Sequence, residues 1–160
     1  MVEDAAKANG DLDREIVLSR LIDAPRDRVF RAWIEPDRML QWFGPRGYHC
    51  EVRQVSPAEQ GAVWRFDMVA PNGQLFDTRL VFLEVLPDQR IVFDHGKDKD
   101  DDPDRFRVTL TFDQESDGKT MLTLRQLHPS KARRDHTIGF GAVELGNQTL
   151  EKLDAYLHDH

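Results

Sequence analysis

His95, His128 and Cys50 are the side chains of this chain best suited to acid–base or nucleophilic chemistry. An imidazole titrates near neutrality and can pass a proton to a substrate within hydrogen-bond reach. Both histidines fall where β-strands are expected to end, and a histidine there more commonly makes an ordinary hydrogen bond. No Ser–His–Asp order can be assigned, so no catalytic residue is expected. Cys50 follows His49 and could be a reactive thiol, yet a lone cysteine more commonly behaves as a small buried apolar group. The histidines at 49, 95, 128, 136, 158 and 160 show no spacing that sets two metal ligands on one helix face. Lys97-Asp98-Lys99-Asp100-Asp101-Asp102, with Asp104, matches a calcium loop in charge alone. It lacks the alternating ligands, central glycine and closing glutamate of such a loop, and reads as a solvated, mobile segment. Gly139-Phe140-Gly141 begins a phosphate-cradling pattern, but Glu144 stands where the third glycine belongs. No metal or cofactor is expected.

Those side chains depend on the elements that hold them. Residues 1–13 are polar and read as a disordered tail, followed by a single domain over 14–160. Arg14 to Ile22 reads as a strand. Pro25 suits the first position of a helix, where its missing N–H costs nothing, and Val29, Phe30 and Trp33 then share one face. Pro36 ends that helix and opens a second carrying Met39, Leu40 and Phe43, which Gly44-Pro45 terminates. From Gly47 to His128 the pattern is strand and turn. Trp64, Phe66 and Met68 alternate with polar neighbours, and Asn72-Gly73 turns the chain into Phe76, Thr78, Leu80 and Phe82. Pro87-Asp88 leads to Ile91, Phe93 and His95; Phe106, Val108, Leu110 and Phe112 alternate next. Ser116-Asp117-Gly118 then turns into a final strand through Leu122 and Leu124. Short loops between successive strands predict an antiparallel meander. Residues 138–158 read as one long helix with Val143, Gly146, Leu150, Leu153 and Leu157 on its inner stripe. Lys131, Arg133 and Arg134 precede it as a surface turn.

Composition narrows the class. A chain of 160 residues is long enough to bury a core without staples. The net charge of -7 disfavours nucleic acid and anionic membranes as partners. No apolar run reaches the length of a membrane span, and the polar start lacks the apolar centre of a signal peptide. A cytoplasmic location is the expectation. Cys50 has no second cysteine to pair with.

Strand, two short helices, six-strand meander and long C-terminal helix together resemble the helix-grip, or START/Bet v 1-like, fold. Arg20-Leu21-Ile22-Asp23-Ala24-Pro25, Val29-Phe30-Arg31-Ala32-Trp33, and Leu40-Gln41-Trp42-Phe43-Gly44-Pro45 after Pro36 narrow the resemblance. They are similar to the opening of SRPBCC proteins related to the activator of heat-shock-protein-ninety ATPase. Thr120 to Arg125 and the Leu150, Leu153, Tyr156 and Leu157 series fit the same pattern. The resemblance implies an α+β domain in which a curved seven-stranded antiparallel sheet wraps the C-terminal helix. Many relatives carry Gly-Trp in the middle of that helix, where this chain reads Gly146-Asn147.

Two readings of the apolar residues follow. By pattern alone the aromatics fill a core, and Gly146 eases close packing. The resemblance implies instead a pocket between sheet and helix, lined by Trp42, Phe43, Trp64, Phe66, Phe76, Phe82, Phe93, Phe112 and Val143, with Gly146 leaving space. His95, His128 and Asn147 would orient its occupant. The expected function is binding of a small apolar or aromatic molecule, such as a lipid or polyketide-like metabolite. A cyclase or aromatase using His95 or His128 is one alternative. A co-chaperone acting on a heat-shock ATPase through its outer surface is the other.

Overall fold

Apolar side chains at every second position build a single antiparallel sheet in the computed structural model, which describes residues 12–160. The expected tail over 1–13 lies outside that range except for Leu12 and Asp13. The strands are β1 (Glu15–Ile22), β2 (His49–Gln54), β3 (Val63–Val69), β4 (Leu75–Leu86), β5 (Arg90–Gly96), β6 (Phe106–Gln114) and β7 (Thr120–Leu127). Their order across the sheet is β1-β7-β6-β5-β4-β3-β2. The last six form the expected meander, and β1 closes against β7 from Glu15 opposite Leu127 to Ile22 opposite Thr120. Asn72-Gly73 makes the predicted hairpin turn. The Asn72 side-chain oxygen accepts the Gln74 N–H at 3.0 Å, while Gly73 takes φ +87°, a conformation that favours glycine. Register shifts between Val52 and Gln54 and between Phe82 and Glu84 mark bulges, which bend the strands and curve the sheet.

Two short helices follow β1: α1 (Arg26–Ile34) and α2 (Pro36–Trp42). Pro25 stands one position ahead of α1 rather than inside it, and its carbonyl accepts the N–H groups of Arg28 and Val29. Val29, Phe30, Ala32 and Trp33 are buried on the inner face of α1, Met39 and Trp42 on that of α2. The two tryptophan rings meet edge to face at 4.7 Å, and Trp42 Nε1–H donates to the Ala32 carbonyl at 3.2 Å. That contact fixes the angle between the helices.

The C-terminal region differs from the single helix expected over 138–158. It consists of α3 (Lys131–Gly139) and α4 (Ala142–Asp159), separated at Phe140 and Gly141. Gly141 takes φ +88°, and glycine at 139 and 141 weakens helix propagation at this point. Upstream, the Ser130 hydroxyl accepts the Arg133 N–H at 3.0 Å and starts α3 as an N-cap. Lys131, Arg133 and Arg134 therefore stand on a helix, not in a surface turn. No residue of α3 is buried, whereas Thr149, Leu150, Leu153 and Leu157 form the inner stripe of α4. The 18 residues of α4 span about 27 Å across the sheet. Its far end is tied down by Arg20 to Asp154 at 3.1 Å and by Arg28 Nη2–H donating to the Leu157 carbonyl at 2.8 Å.

The acidic 97–104 segment is not the free, solvated loop expected from its charge. Arg79 reaches Asp98 at 2.9 Å and Asp100 at 2.7 Å, and Arg65 meets Asp98 at 3.2 Å. Asp102 accepts the backbone N–H groups of Lys97 and Asp104. The expected repulsion among aspartates is met by arginines supplied from β3 and β4. No helix among the described residues is long and apolar enough to cross a membrane.

Candidate functional site

Inward side chains at one end of the strands border a hollow beside the packed core. Met68 on β3, Phe93 and His95 on β5, Phe106 and Val108 on β6, and Leu124 and Gln126 on β7 supply the sheet wall. The register aligns them: Phe93 lies opposite Val108, Val108 opposite Gln126, and His95 opposite Phe106. Trp33 on α1 and Phe43, Gly44 and Pro45 after α2 make a second wall. Thr137 on α3 and Ala142, Leu145, Gly146 and Thr149 on α4 complete the third. The hollow is open on one side and has a volume of about 280 Å³, and no charged side chain lines it.

Pro45, Met68, His95 and Phe106 also border a larger outer space of about 670 Å³. This vestibule is polar. Asp77, Lys97, Asp102 and Asp104 line it from the sheet side, and Arg133 reaches it from α3. Arg133 and Asp104 approach at 3.7 Å, joining helix and acidic segment. The opposite lip is the Gly44–Tyr48 turn. Lys152 Nζ, on α4, donates to the carbonyls of Pro45 at 3.2 Å and Tyr48 at 3.0 Å.

A run of stacked rings forms the boundary between chamber and vestibule. His95 stacks on Phe106 at 4.7 Å, Phe106 stacks on His128 at 4.8 Å, and Phe43 approaches the other side of His95 at 6.1 Å. Among the described residues, no group hydrogen-bonds the His95 ring, which is left with its aromatic neighbours. Burial pushes its pKa down to about 4; nearby Asp102 opposes that shift and His128 reinforces it. Burial also lowers His128 to about 4, aided by the positive charges of Arg133 and Arg134. Both rings are neutral at pH 7.

The neutral His128 ring donates its Nε2–H to the Gln126 side-chain oxygen at 3.0 Å, leaving Nδ1 buried and unpaired. This tautomer is preferred because a bare acceptor is the more tolerable orphan than a buried N–H. It directs the Gln126 carbonyl to His128 and leaves the amide –NH₂ unengaged. The indole N–H of Trp33 is likewise buried without a partner. Thr137 and Thr149, by contrast, donate to the carbonyls of Arg133 and Leu145 within their own helices.

The structure sorts the residues anticipated for the site. Phe43, Phe93, His95 and Gly146 line the chamber. Trp42, Trp64, Phe66, Phe82 and Phe112 are fully buried in the core and do not line it. Phe76 is 42% exposed at the vestibule, beside Tyr48. His128 stands one ring behind the wall. Val143 is 39% exposed, on the outer side of α4, because the break at Gly141 sets the start of the helical stripe differently from a continuous helix. Asn147 is half-buried outside the chamber lining. Gly146 does not leave space as expected: an added Cβ would collide with Leu18 Cδ1 of β1. Its glycine permits close approach of α4 to β1, which is the packing role considered from pattern alone.

Trp33, Phe106 and Gln126 were not anticipated as lining residues. The two strand residues carried a signal in the alternation, since Phe106 shares the face of Phe112 and Gln126 that of Leu124. Cys50 gives its Sγ–H to the Phe43 carbonyl at 3.4 Å, and burial raises its pKa to about 11, so it is no thiolate at neutral pH. Among the described residues, no three His, Cys, Asp or Glu side chains converge as metal ligands would.

A family model described as "Activator of Hsp90 ATPase homolog 1-like protein" matches residues 23–158. The chain belongs to that family. The activator-homolog match covers the segments that carry the sequence resemblance apart from Arg20-Leu21-Ile22. A structure from Nitrosomonas europaea is similar at 22% identity, covering 93% of this chain and 97% of that one, with TM-score 0.83. One from Chromobacterium violaceum shares 26% identity over 90% and 96% of the two chains, at TM-score 0.73. The AHSA1 protein from Silicibacter pomeroyi aligns over 91% and 99% at 24% identity and TM-score 0.74. No functionally curated protein matches the chain.

Proposed function

We propose that this chain binds a small, neutral, largely apolar molecule in the chamber between the sheet and the C-terminal helices. The observation that carries this reading is a cavity of about 280 Å³ with aromatic and aliphatic walls, no lining charge, and a polar vestibule outside it. Burial of apolar surface at about 25 cal/mol per Å² supplies the driving force. A charged ligand group would lose its hydration there without a counter-charge. The stacked rings of His95 and Phe106 stand where a ligand passes from vestibule to chamber.

Naphthalene serves as a probe. Titration followed by NMR is expected to shift the resonances of His95, Phe106 and Gln126. Ala142→Phe, which fills the chamber from the first turn of α4, is expected to weaken binding at least tenfold while the protein stays folded. Shifts confined to the outer surface, or undiminished binding by Ala142→Phe, would overturn the proposal. The family description supports a second reading, stimulation of a heat-shock ATPase through the outer surface. That reading requires a rise in the ATPase rate on adding this protein, equal for the parent and Ala142→Phe.

A further inference from the structure

We propose that α3 is a hinged wall of the hollow, latched shut by Arg133 on Asp104. Its release sets how fast a ligand enters and leaves, a role that rests on the ligand-binding reading above.

The two C-terminal helices are held very differently. Thr149, Leu150, Leu153 and Leu157 of α4 are buried, and Arg20 and Arg28 fasten its far end. α3 buries no residue. Apolar burial is what keeps most helices in place, and a helix of nine residues without it is marginal in water. Between the two stand Gly139, Phe140 and Gly141. Gly141 takes φ +88°, and a Cβ added at 139 or 141 would meet nothing within 4 Å. Phe140 is 72% exposed, so no apolar anchor fixes this joint. Element-terminal residues of this kind absorb the backbone rotation of a hinge.

α3 also stands where access is decided. Thr137 lines the hollow, while Arg133, one turn earlier, lines the vestibule. Two polar contacts tie the helix to the body. Arg133 meets Asp104 at 3.7 Å, and Arg134 Nη1–H donates to the Glu15 carbonyl at 3.3 Å. The Arg133–Asp104 pair is partly exposed, so it shifts the closed–open equilibrium by no more than about fivefold. A latch of that strength opens readily. Its keeper is fixed: Asp102 accepts the Asp104 N–H at 3.0 Å, and Arg79 holds Asp98 and Asp100. The acidic segment therefore stays with the sheet, and the helix is the partner that moves.

Arg133→Glu and Asp104→Arg each break the latch, and the double swap restores it with the charges exchanged. Hydrogen exchange of the full chain at pH 7, without ligand, reads the helix directly, because a released α3 unravels. Its amides, including Arg134, which donates to the Ser130 carbonyl at 3.0 Å, should exchange about threefold faster in each single variant. The swap should return towards the parent rate, with Leu153 of α4 unchanged throughout. NMR exchange of bound and free naphthalene reads access. Entry and exit should both quicken about threefold in the single variants, with Kd within about twofold, since a gate scales both rates alike. Parent-like α3 exchange in both single variants overturns the latch and leaves the ligand-binding reading standing. Faster α3 exchange with unchanged naphthalene rates overturns its role in access. A swap no slower than the single variants overturns the Arg133–Asp104 pairing. Absence of naphthalene binding in the parent rejects the ligand-binding reading and the gate together.

Discussion

Gly146 and Leu18 compete for one small volume between α4 and β1. A Cβ at 146 would collide with the Leu18 methyl, yet alanine in a helix interior is favoured over glycine by roughly 1 kcal/mol. Overpacking of a core costs about 1–3 kcal/mol. Gly146→Ala should therefore destabilise the parent protein by about 1 kcal/mol in urea unfolding. In a Leu18→Ala background, where the collision is gone, the same change should stabilise by a similar amount. If Gly146→Ala stabilises both backgrounds equally, the close contact is not what holds glycine there. The spacing alone presents this residue as a packing device, and it stands against Leu18 of β1. Its neighbour across the gap carries no signal in the sequence, because Leu18 and Gly146 are far apart in the chain and meet only where α4 crosses β1.

At the scale of elements, the two lips of the vestibule are held by different means. Lys152 reaches from α4 to two carbonyls of the Gly44–Tyr48 turn, and its partial burial lowers its pKa. Replacing it with methionine keeps the stem and removes the donors. A loss of about 1.5–3 kcal/mol is expected from charged hydrogen bonds of this kind. Faster hydrogen exchange at the Tyr48 amide, which donates to the Pro45 carbonyl at 3.0 Å, should accompany it. Unchanged exchange at Tyr48 would show that the turn holds its shape without the lysine. Elements of this kind were largely legible: strands from alternation, α1 and α2 from their prolines, the hairpin from Asn72-Gly73. Which end of each strand borders the hollow was not. Phe93 and Ile91, or Val108 and Leu110, have the same inward periodicity, and only the position of α4 across the sheet makes the first of each pair a wall and the second core. The helix break is masked in the sequence because Val143 keeps the apolar spacing of a continuous helix while lying on its outer side.

For the molecule as a whole, the two neutral histidines set an acid limit. Their folded pKa values, lowered to about 4, lie below the ordinary 6.5, so the unfolded chain binds more protons between those values. Their contribution to stability is complete above about pH 7 and is lost progressively as the pH falls from 6.5 towards 4. Charge on His95 would face Asp102, and charge on His128 would face Arg133 and Arg134. The urea midpoint should therefore drop between pH 7 and pH 5, and His95→Gln/His128→Gln should flatten that slope. A slope identical in the variant would assign the acid sensitivity elsewhere. Asp100, Asp102 and Asp135 have pKa values held below 3.8, so their own loss falls at lower pH and leaves this window clear.

The bulge near the end of β2 makes that edge of the sheet a poor template for a second copy of the protein. β2 is the outermost strand on its side of the sheet, and such an edge offers a template for intermolecular strand pairing. The register shift between Val52 and Gln54 interrupts the ladder, and exposed Glu51 and Arg53 place opposite charges along the strand. Arg53 is further drawn to Asp67 of β3 at 3.0 Å. An incoming flat strand would meet a twisted, charged border there. The irregularity at this edge thus discourages the sheet from growing into an aggregate.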